Sequence, residues 1–372
     1  MNRSYFDYNA SHPPFPDILQ NKLKEYLSNY CNPSGPSRYS LERQNVIEKT
    51  RAVLAHLCKK EASGFVFSSS GTEANYFLVH CLKHSPCFTN KLIVSPFEHP
   101  SVYAALESYN IEAIIPPAYK DGSFSLDFIE DTLKQSRVPL FLIYASNETG
   151  FIPDWNSIYQ LASRYEVPIF SDTAQAFAKL PVAYESLSGF SFSGHKIGAG
   201  MGVSGTYLSA SFLKEGLAIF SGGNQENRHR AGTENSFAIH CLQEVALKYE
   251  SERDLILKRL EKYQQQIETK LTRLGGIVIG KGKDRLASTS LCILPIEDID
   301  FFMMGLEAKG IIISNGSSCK SRSREASPAL LRMGFKKEEA LRAIRISTGY
   351  FTNQEEVELL LEESENLIQK LN

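Results

Sequence analysis

Between about Gly64 and Leu208, short apolar runs alternate with stretches of helical periodicity, and this alternation constrains the fold more than any other feature. The runs are Gly64-Phe65-Val66-Phe67, Leu92-Ile93-Val94, Ala113-Ile114-Ile115, Leu140-Phe141-Leu142-Ile143-Tyr144, Val167-Pro168-Ile169-Phe170 and Phe190-Ser191-Phe192. Helices between them are signalled over Ala74 to Leu82, Pro100 to Glu107, Leu126 to Gln135 and Trp155 to Tyr165. Continuous apolar runs of this length, bounded by polar and turn residues, read as strands buried on both faces. Strands that alternate with helices predict an α/β fold with a mostly parallel sheet.

Beyond this region the pattern changes. Thr233 to Leu274 is long, periodic and charged, and predicts one extended helix linking two domains. Strands follow near Ser288 to Leu294 and Gly310 to Ser314, and a last helix begins at Thr352-Asn353-Gln354-Glu355 with capping-box spacing. At 372 residues the chain is long enough for two domains and a sizeable core. Apolar content of 42% and charged content of 22% are those of a globular protein in water, and a net charge of −2 gives no general attraction to nucleic acid or anionic membrane. The N-terminus lacks the apolar core of a signal peptide, and no stretch approaches the roughly 20 apolar residues of a membrane span. Seven scattered cysteines do not suggest a disulfide framework. The expectation is a soluble, reduced, cytoplasmic protein.

Two of the apolar runs end in chemistry. Val167 to Phe170 leads into Ser171-Asp172, and Gly189 to Ser193 leads into Gly194-His195-Lys196. Polar groups at the tips of parallel strands face the crevice where such sheets bind ligands. Asp172 and Lys196 lie 24 residues apart, enough for one strand and its connection. A lysine and a carboxylate at neighbouring strand tips are what pyridoxal 5′-phosphate requires: the lysine bonds to the aldehyde, and the carboxylate keeps the pyridine nitrogen protonated. A salt bridge at a sheet edge is the plainer alternative.

Ten segments, in order along nearly the whole chain, add a resemblance. They are Phe6-Asp7-Tyr8-Asn9-Ala10, Asn32-Pro33-Ser34, Gly71-Thr72-Glu73-Ala74-Asn75, Glu98-His99, Asn147-Glu148-Thr149-Gly150 and Asp172-Thr173-Ala174-Gln175. The series continues with Ser193-Gly194-His195-Lys196, Arg230-Ala231-Gly232-Thr233-Glu234-Asn235, Gly316-Ser317-Ser318-Cys319 and Ile344-Arg345-Ile346-Ser347. Together they resemble the class V, fold-type I pyridoxal-phosphate enzymes, and within them the NifS/IscS-like group I cysteine desulfurases. The resemblance implies a large domain over 13–253 with a mostly parallel, seven-stranded-type sheet. A smaller α+β domain over 254–372 would carry the catalytic cysteine loop and take back residues 1–12.

Ser68-Ser69-Ser70-Gly71-Thr72 joins a predicted strand to a predicted helix, and free N–H groups at such a turn bind phosphate. A simple Ser/Thr helix cap is the alternative. By resemblance Gly71, Thr72, Ser193 and His195 hold the cofactor phosphate, and Thr233 reaches the phosphate of the other subunit of a homodimer. His99 stacks on the pyridine ring and acts in proton transfer, for which imidazole is suited. Gln175 binds the ring hydroxyl, Asn147 contacts the cofactor or substrate carboxylate, and Arg345 binds that carboxylate as a fork.

Cys319 decides the reaction that the resemblance implies. It sits in a loop of small and polar residues beside Lys320, Arg322 and Arg324, whose positive charge favours the nucleophilic thiolate, a solvated or docking surface being the alternative reading of the basic residues. The expected activity converts L-cysteine to L-alanine and stores sulfur as a persulfide on Cys319 for an acceptor protein, a scaffold or a tRNA-thiolation partner. The alternatives are another class V enzyme, such as a selenocysteine lyase or aminotransferase, and a non-catalytic binding protein of the same fold. His80-Cys81-Leu82-Lys83-His84-Ser85-Pro86-Cys87 has histidines at i and i+4, but no second ligand pair accompanies them and no metal is expected.

The chain also departs from the family pattern. Ala10-Ser11-His12 stands where Ala-Thr-Thr is usual, Ser37 fills a histidine position, Ser40 replaces a glycine, and Ala199-Gly200-Met201-Gly202 replaces Gly-Pro-Lys-Gly.

Overall fold

The computed structural model describes residues 3–86, 88–315 and 325–371. Cys87 and the Gly316–Arg324 segment, with Cys319 in it, lie outside the described residues. The chain opens with strand β1 (Ser4–Tyr5) and helices α1 (Pro16–Ser28) and α2 (Arg38–Cys58). The alternating region then supplies β2 (Phe65–Ser68), α3 (Gly71–Lys83), β3 (Lys91–Val94), α4 (Pro100–Ser108), β4 (Glu112–Ile114) and α5 (Leu126–Gln135). It closes with β5 (Leu140–Phe141), α6 (Trp155–Tyr165), β6 (Ile169–Asp172), β7 (Gly189–Ser193) and β8 (Ser204–Leu208).

These strands form one seven-stranded sheet in the order β2-β8-β7-β6-β5-β3-β4. Only β8 is reversed, pairing antiparallel with both β2 and β7, while the pairs from β7 through to β4 are parallel. The mostly parallel α/β sheet is therefore as the alternation predicts. Its centre is apolar on both faces: Leu92, Val94, Phe141 and Phe170 pack towards α3 and α4, and Ile93, Leu140, Leu142 and Ile169 pack the other way. That double burial is why the runs lack an alternating polar face.

The paired ladder of β5 is shorter than its apolar run, but Leu142 and Tyr144 continue to donate to Phe170 and Asp172 carbonyls at 3.0 Å. The Ile143 N–H, which points the other way, donates to the Glu98 carboxyl instead. Helices α1 and α2 are not predicted by the periodicity. No residue of α1 is buried, and the inner face of α2 includes Arg43, Thr50 and Arg51, so neither carries a clean apolar stripe. Ser37 caps α2 by accepting from the Ser40 N–H at 3.1 Å, and the two hydroxyls lie 3.0 Å apart. The two replacements thus form a helix cap.

Helix α7 (Ser236–Arg273) runs 38 residues, on the order of 57 Å. Its first half packs on α1 and α2 and its second half on the C-terminal elements. Those elements are β9 (Ile277–Val278), β10 (Thr289–Ile293), α8 (Ile299–Ala308), β11 (Ile311–Ile312), β12 (Ser314–Asn315), α9 (Pro328–Arg332), α10 (Lys337–Ala340), β13 (Ala343–Ser347) and α11 (Gln354–Leu371). A four-stranded sheet runs β12-β13-β10-β9, and β1 pairs parallel with β11. The final cap lies one residue later than its sequence spacing suggests. Asn353 accepts from the Glu356 N–H at 2.9 Å and Glu356 accepts from the Asn353 N–H at 3.1 Å, while Thr352 accepts from Gly349.

Candidate active site

The C-terminal ends of β2, β3, β5, β6 and β7 open on one edge of the large sheet, because these strands all run the same way. Each tip delivers a polar segment. The end of β6 delivers Asp172, 5% exposed, whose Oδ2 accepts from Asn75 Nδ2 at 2.8 Å and whose Oδ1 accepts from the Ala174 N–H at 2.9 Å. The turn after β7 delivers His195 and Lys196. Lys196 Nζ donates to the carbonyls of Asn9 at 2.6 Å and Ala10 at 2.8 Å, so the N-terminal segment closes over the lysine.

The loop after β3 delivers Glu98 and His99. His99 caps α4, and its Nδ1 accepts from the Ser101 N–H at 3.2 Å, which leaves the ring hydrogen on Nε2. Burial holds this imidazole below its ordinary pKa; the Lys196 charge adds to the effect and Asp172 opposes it. Glu98 is buried, and burial, reinforced by the Asp172 charge, pushes its carboxyl well above the ordinary range. Its Oε2 has no partner among the described residues.

At the start of α3, Ser70 is the N-cap and accepts from the Glu73 N–H at 3.2 Å. Gly71 faces Ser193, and a Cβ there would lie in ordinary contact, 3.5 Å from the serine Cβ. Ser193 Oγ accepts from Ser204 Oγ at 3.1 Å and meets His195 Nδ1 at 2.9 Å. Burial and the charges of Lys196 and Lys179 push His195 down to about 4. A helix N-terminus, hydroxyls and an imidazole at one place form a donor set that fits a phosphate ester, the Lys196 amine fits an aldehyde, and Asp172 fits a protonated ring nitrogen. Thr72 is exposed beside this turn, and the exposed Thr233 lines a shallow pocket with Ser68, Ser69 and Arg230.

Gln175 is buried, donating from Nε2 to the Asn9 carbonyl at 2.9 Å and accepting from Lys179 Nζ at 3.0 Å. Arg345 is fully buried on β13. Its guanidinium donates to Asp7 Oδ1 at 2.6 Å and to the Asn147 carbonyl at 2.9 Å, and its Nε is unpartnered among the described residues. Asn147, Arg345 and Asp7 thus meet, joined through the Asn147 backbone. His80 and His84 lie with ring centroids 4.5 Å apart, His80 contacting Tyr109 OH at 3.0 Å. Among the described residues no cluster of three or more His, Cys, Asp or Glu side chains is arranged to hold a metal ion. None of the described helices is long and apolar enough to cross a membrane.

Sequence reasoning gave no role to Asn75, Asn9 or Lys179. Asn75 offered one signal, a polar residue inside the buried face of α3, where it also donates to Ser101 Oγ at 3.0 Å and accepts from Ser191 Oγ at 2.6 Å. His12, standing where the family has threonine, is a core residue. Its backbone N–H donates to the His195 carbonyl at 2.9 Å, and its ring is bonded to Pro13 and Tyr249 and stacked on Phe15. Gly198 allows that packing: with φ of +89°, its Cβ would come within 2.6 Å of His12 Nδ1.

The model of one family, aminotransferase class-V, matches residues 4–360. The chain belongs to that family. As a class-V protein it is similar to the cysteine desulfurase IscS of Dictyoglomus turgidum, 25% identical over 381 residues that cover 99% of this chain and 95% of that one. It is 28% identical to the mitochondrial cysteine desulfurase of Arabidopsis thaliana, over 99% of this chain and 83% of the relative. Among solved structures, a NifS-like protein from Rickettsia africae superposes with a TM-score of 0.88 at 26% identity, covering 99% of this class-V chain and 100% of its own.

Proposed function

We propose that this chain is a pyridoxal 5′-phosphate-dependent cysteine desulfurase that moves the sulfur of L-cysteine onto Cys319 and releases L-alanine. The observation that carries the reading is the convergence of Lys196, Asp172 and His99 at the ends of parallel strands beside the α3 N-terminus. The names of the class-V relatives support it. When bound, the cofactor supplies an electron sink that lets the substrate Cα–H bond and then the Cβ–S bond break.

Gly71, Thr72, Ser193 and His195 would bind the phosphate, joined in a homodimer by the partner subunit's Thr233. Asp172, oriented by Asn75 and Ala174, would hold the proton on the ring nitrogen. Lys196 would hold the aldehyde end of the cofactor, and its amine would accept the proton from the substrate Cα. His99, with its hydrogen on Nε2, would cover the ring and exchange protons, and Gln175 would bind the ring hydroxyl. Asn147 and Arg345 would take the substrate carboxylate, which must share the Arg345 guanidinium with Asp7.

Cys319 would then take the sulfur: the substrate Cβ–S bond breaks, an S–S bond forms, and the thiol hydrogens end on alanine and the persulfide. The basic neighbours of Cys319 in sequence favour its thiolate. Persulfide sulfur then passes to an acceptor protein, and a reducing compartment such as the cytoplasm suits the free thiols. The test is alanine release from L-cysteine, with mass spectrometry of a sulfur adduct on Cys319, in wild type and Cys319→Ser. The variant should keep the yellow bound cofactor and lose both signals. Full alanine production by Cys319→Ser would sink this reading and favour a lyase that does not use the cysteine.

A further inference from the structure

We propose that Lys179 is a positioning residue for Lys196, acting through the Gln175 amide and the Asn9 carbonyl. The proposal rests on the reading of Lys196 as the reacting amine. The four groups form one chain of hydrogen bonds. The Asn9 carbonyl accepts from Lys196 Nζ at 2.6 Å and from Gln175 Nε2 at 2.9 Å, which uses both of its lone pairs. Gln175 Oε1 in turn accepts from Lys179 Nζ at 3.0 Å.

An ammonium group has donors and no acceptor, so it fixes which end of the amide faces it. Rotating the Gln175 amide by half a turn would set its NH2 against the Lys179 ammonium and its oxygen against the Asn9 carbonyl. Two hydrogen bonds would become two repulsions. Lys179 thereby determines that Gln175 donates to Asn9, and the doubly bonded carbonyl holds the Lys196 amine in one place.

The frame around this relay is rigid. Lys179 returns over Gln175 because the intervening turn is closed by the Lys179 and Leu180 N–H groups, donating to the Ala176 carbonyl at 3.0 and 2.9 Å. Asn9 is pinned from its other side: Nδ2 donates to Thr289 Oγ1 at 2.9 Å and to the Asn147 carbonyl at 3.0 Å, and its N–H donates to Ser347 Oγ. Lys179 and Lys196 line the same cavity, together with Tyr8, His12, Tyr249 and Arg253. Among the described residues no carboxylate lies within ion-pair distance of Lys179, and burial, with the Lys196 charge adding, pushes its ammonium down to about 7. Gln175 is thus the acceptor on which its position depends.

The test uses the full-length chain, stripped of and then reloaded with pyridoxal 5′-phosphate at mildly acidic pH, where Lys179 carries its proton. Two quantities are read: the rate at which the yellow, borohydride-trappable adduct forms on Lys196, and the cofactor dissociation constant. Lys179→Met should slow adduct formation by about tenfold, the effect of one hydrogen bond to a charged group. Lys179→Arg, a donor without an acceptor, should stay within about threefold of wild type. Gln175→Glu can accept from Lys179 but, ionised, cannot donate to Asn9, and should show at least the same loss, because its contact to the ring hydroxyl changes as well. The double variant should lose no more than Gln175→Glu alone, because both substitutions break one relay.

Wild-type capture by Lys179→Met, or fully additive losses, would overturn the relay. If thermal melts show that the Met variant does not fold, Lys179→Gln, whose amide can itself rotate, reads the same loss. A wild type that forms no adduct on Lys196 sinks the reading of the site and the relay with it. A loaded wild type with an unaffected Met variant sinks the relay alone.

Discussion

Asn75 Nδ2 donates to Asp172 Oδ2 at 2.8 Å, a buried hydrogen bond that ties helix α3 to the tip of β6. The same amide spans Ser101 on α4 and Ser191 on β7, so one side chain sets the relative position of four elements at the floor of the site. Asn75→Leu should leave the fold intact and lower kcat for alanine release by about tenfold to a hundredfold, because a hydrogen bond to a charged group is lost. Asn75→Asp should do worse, since it sets a second carboxylate against Asp172. Steady-state rates from L-cysteine decide it, and a Leu variant at wild-type kcat removes Asn75 from the site.

Asp172→Asn should still bind the cofactor and lose most turnover. An amide cannot hold the pyridinium proton, and losing one well-placed charge costs on the order of a hundredfold or more. The new NH2 would also face either Asn75 Nδ2 or the Ala174 N–H, which are both donors. Near-normal kinetics would take Asp172 out of the mechanism.

Lys196→Ala should abolish the yellow band and the borohydride-trapped adduct. Lys179 lines the same cavity, so a tryptic map of the wild type after reduction is the discriminating measurement. Cofactor found on Lys179, or on any other lysine, would show that the site is misassigned.

Glu226 should govern stability. It is 5% exposed, and its carboxylate accepts from both Arg51 terminal nitrogens at 2.9 Å and from the Phe67 N–H at 2.7 Å. This ion pair holds Glu226, Asn227 and Arg228 in the left-handed region, with φ of 47°, 53° and 69°. Glu226→Gln leaves the buried Arg51 with the half-exposed Glu48, 3.1 Å from its Nε, as its remaining counter-charge and should cost about 2 kcal/mol in denaturant unfolding. A loss near zero would mean that the segment around residue 226 rearranges to let water reach Arg51.

His12 should make the fold acid-sensitive. Burial pushes its imidazole from 6.5 down to about 4, so below 6.5 the unfolded chain binds a proton that the folded chain resists. The contribution is fully present above pH 6.5 and is lost as pH falls towards 4, by about 3 kcal/mol in all. His12→Gln should flatten the pH dependence of the unfolding midpoint across that window relative to wild type. An unchanged slope would show that His12 is not the responsible group.

The amino-acid sequence by itself determined the central sheet and the groups at its strand tips. Apolar runs such as Leu92 to Val94, short and bounded by polar and turn residues, read as strands buried on both faces, and Asp172 and Lys196 follow their runs by covalent connection. Local chemistry also marked the long helix, whose observed bounds, Ser236–Arg273, fall just inside the predicted stretch. Only the tertiary structure decided what sits beside those groups. Asn9 and Asn75 lie 163 and 97 residues from Asp172, and no periodicity or spacing connects them. Helices α1 and α2 were illegible for a related reason, since their stability comes from packing against α7 and from buried polar pairs such as Arg43 with Ser236 and Arg51 with Glu226. His12 and Lys179 read as ordinary polar residues until the fold enclosed them, because burial and long-range hydrogen bonds are properties of the folded chain, not of neighbours along it.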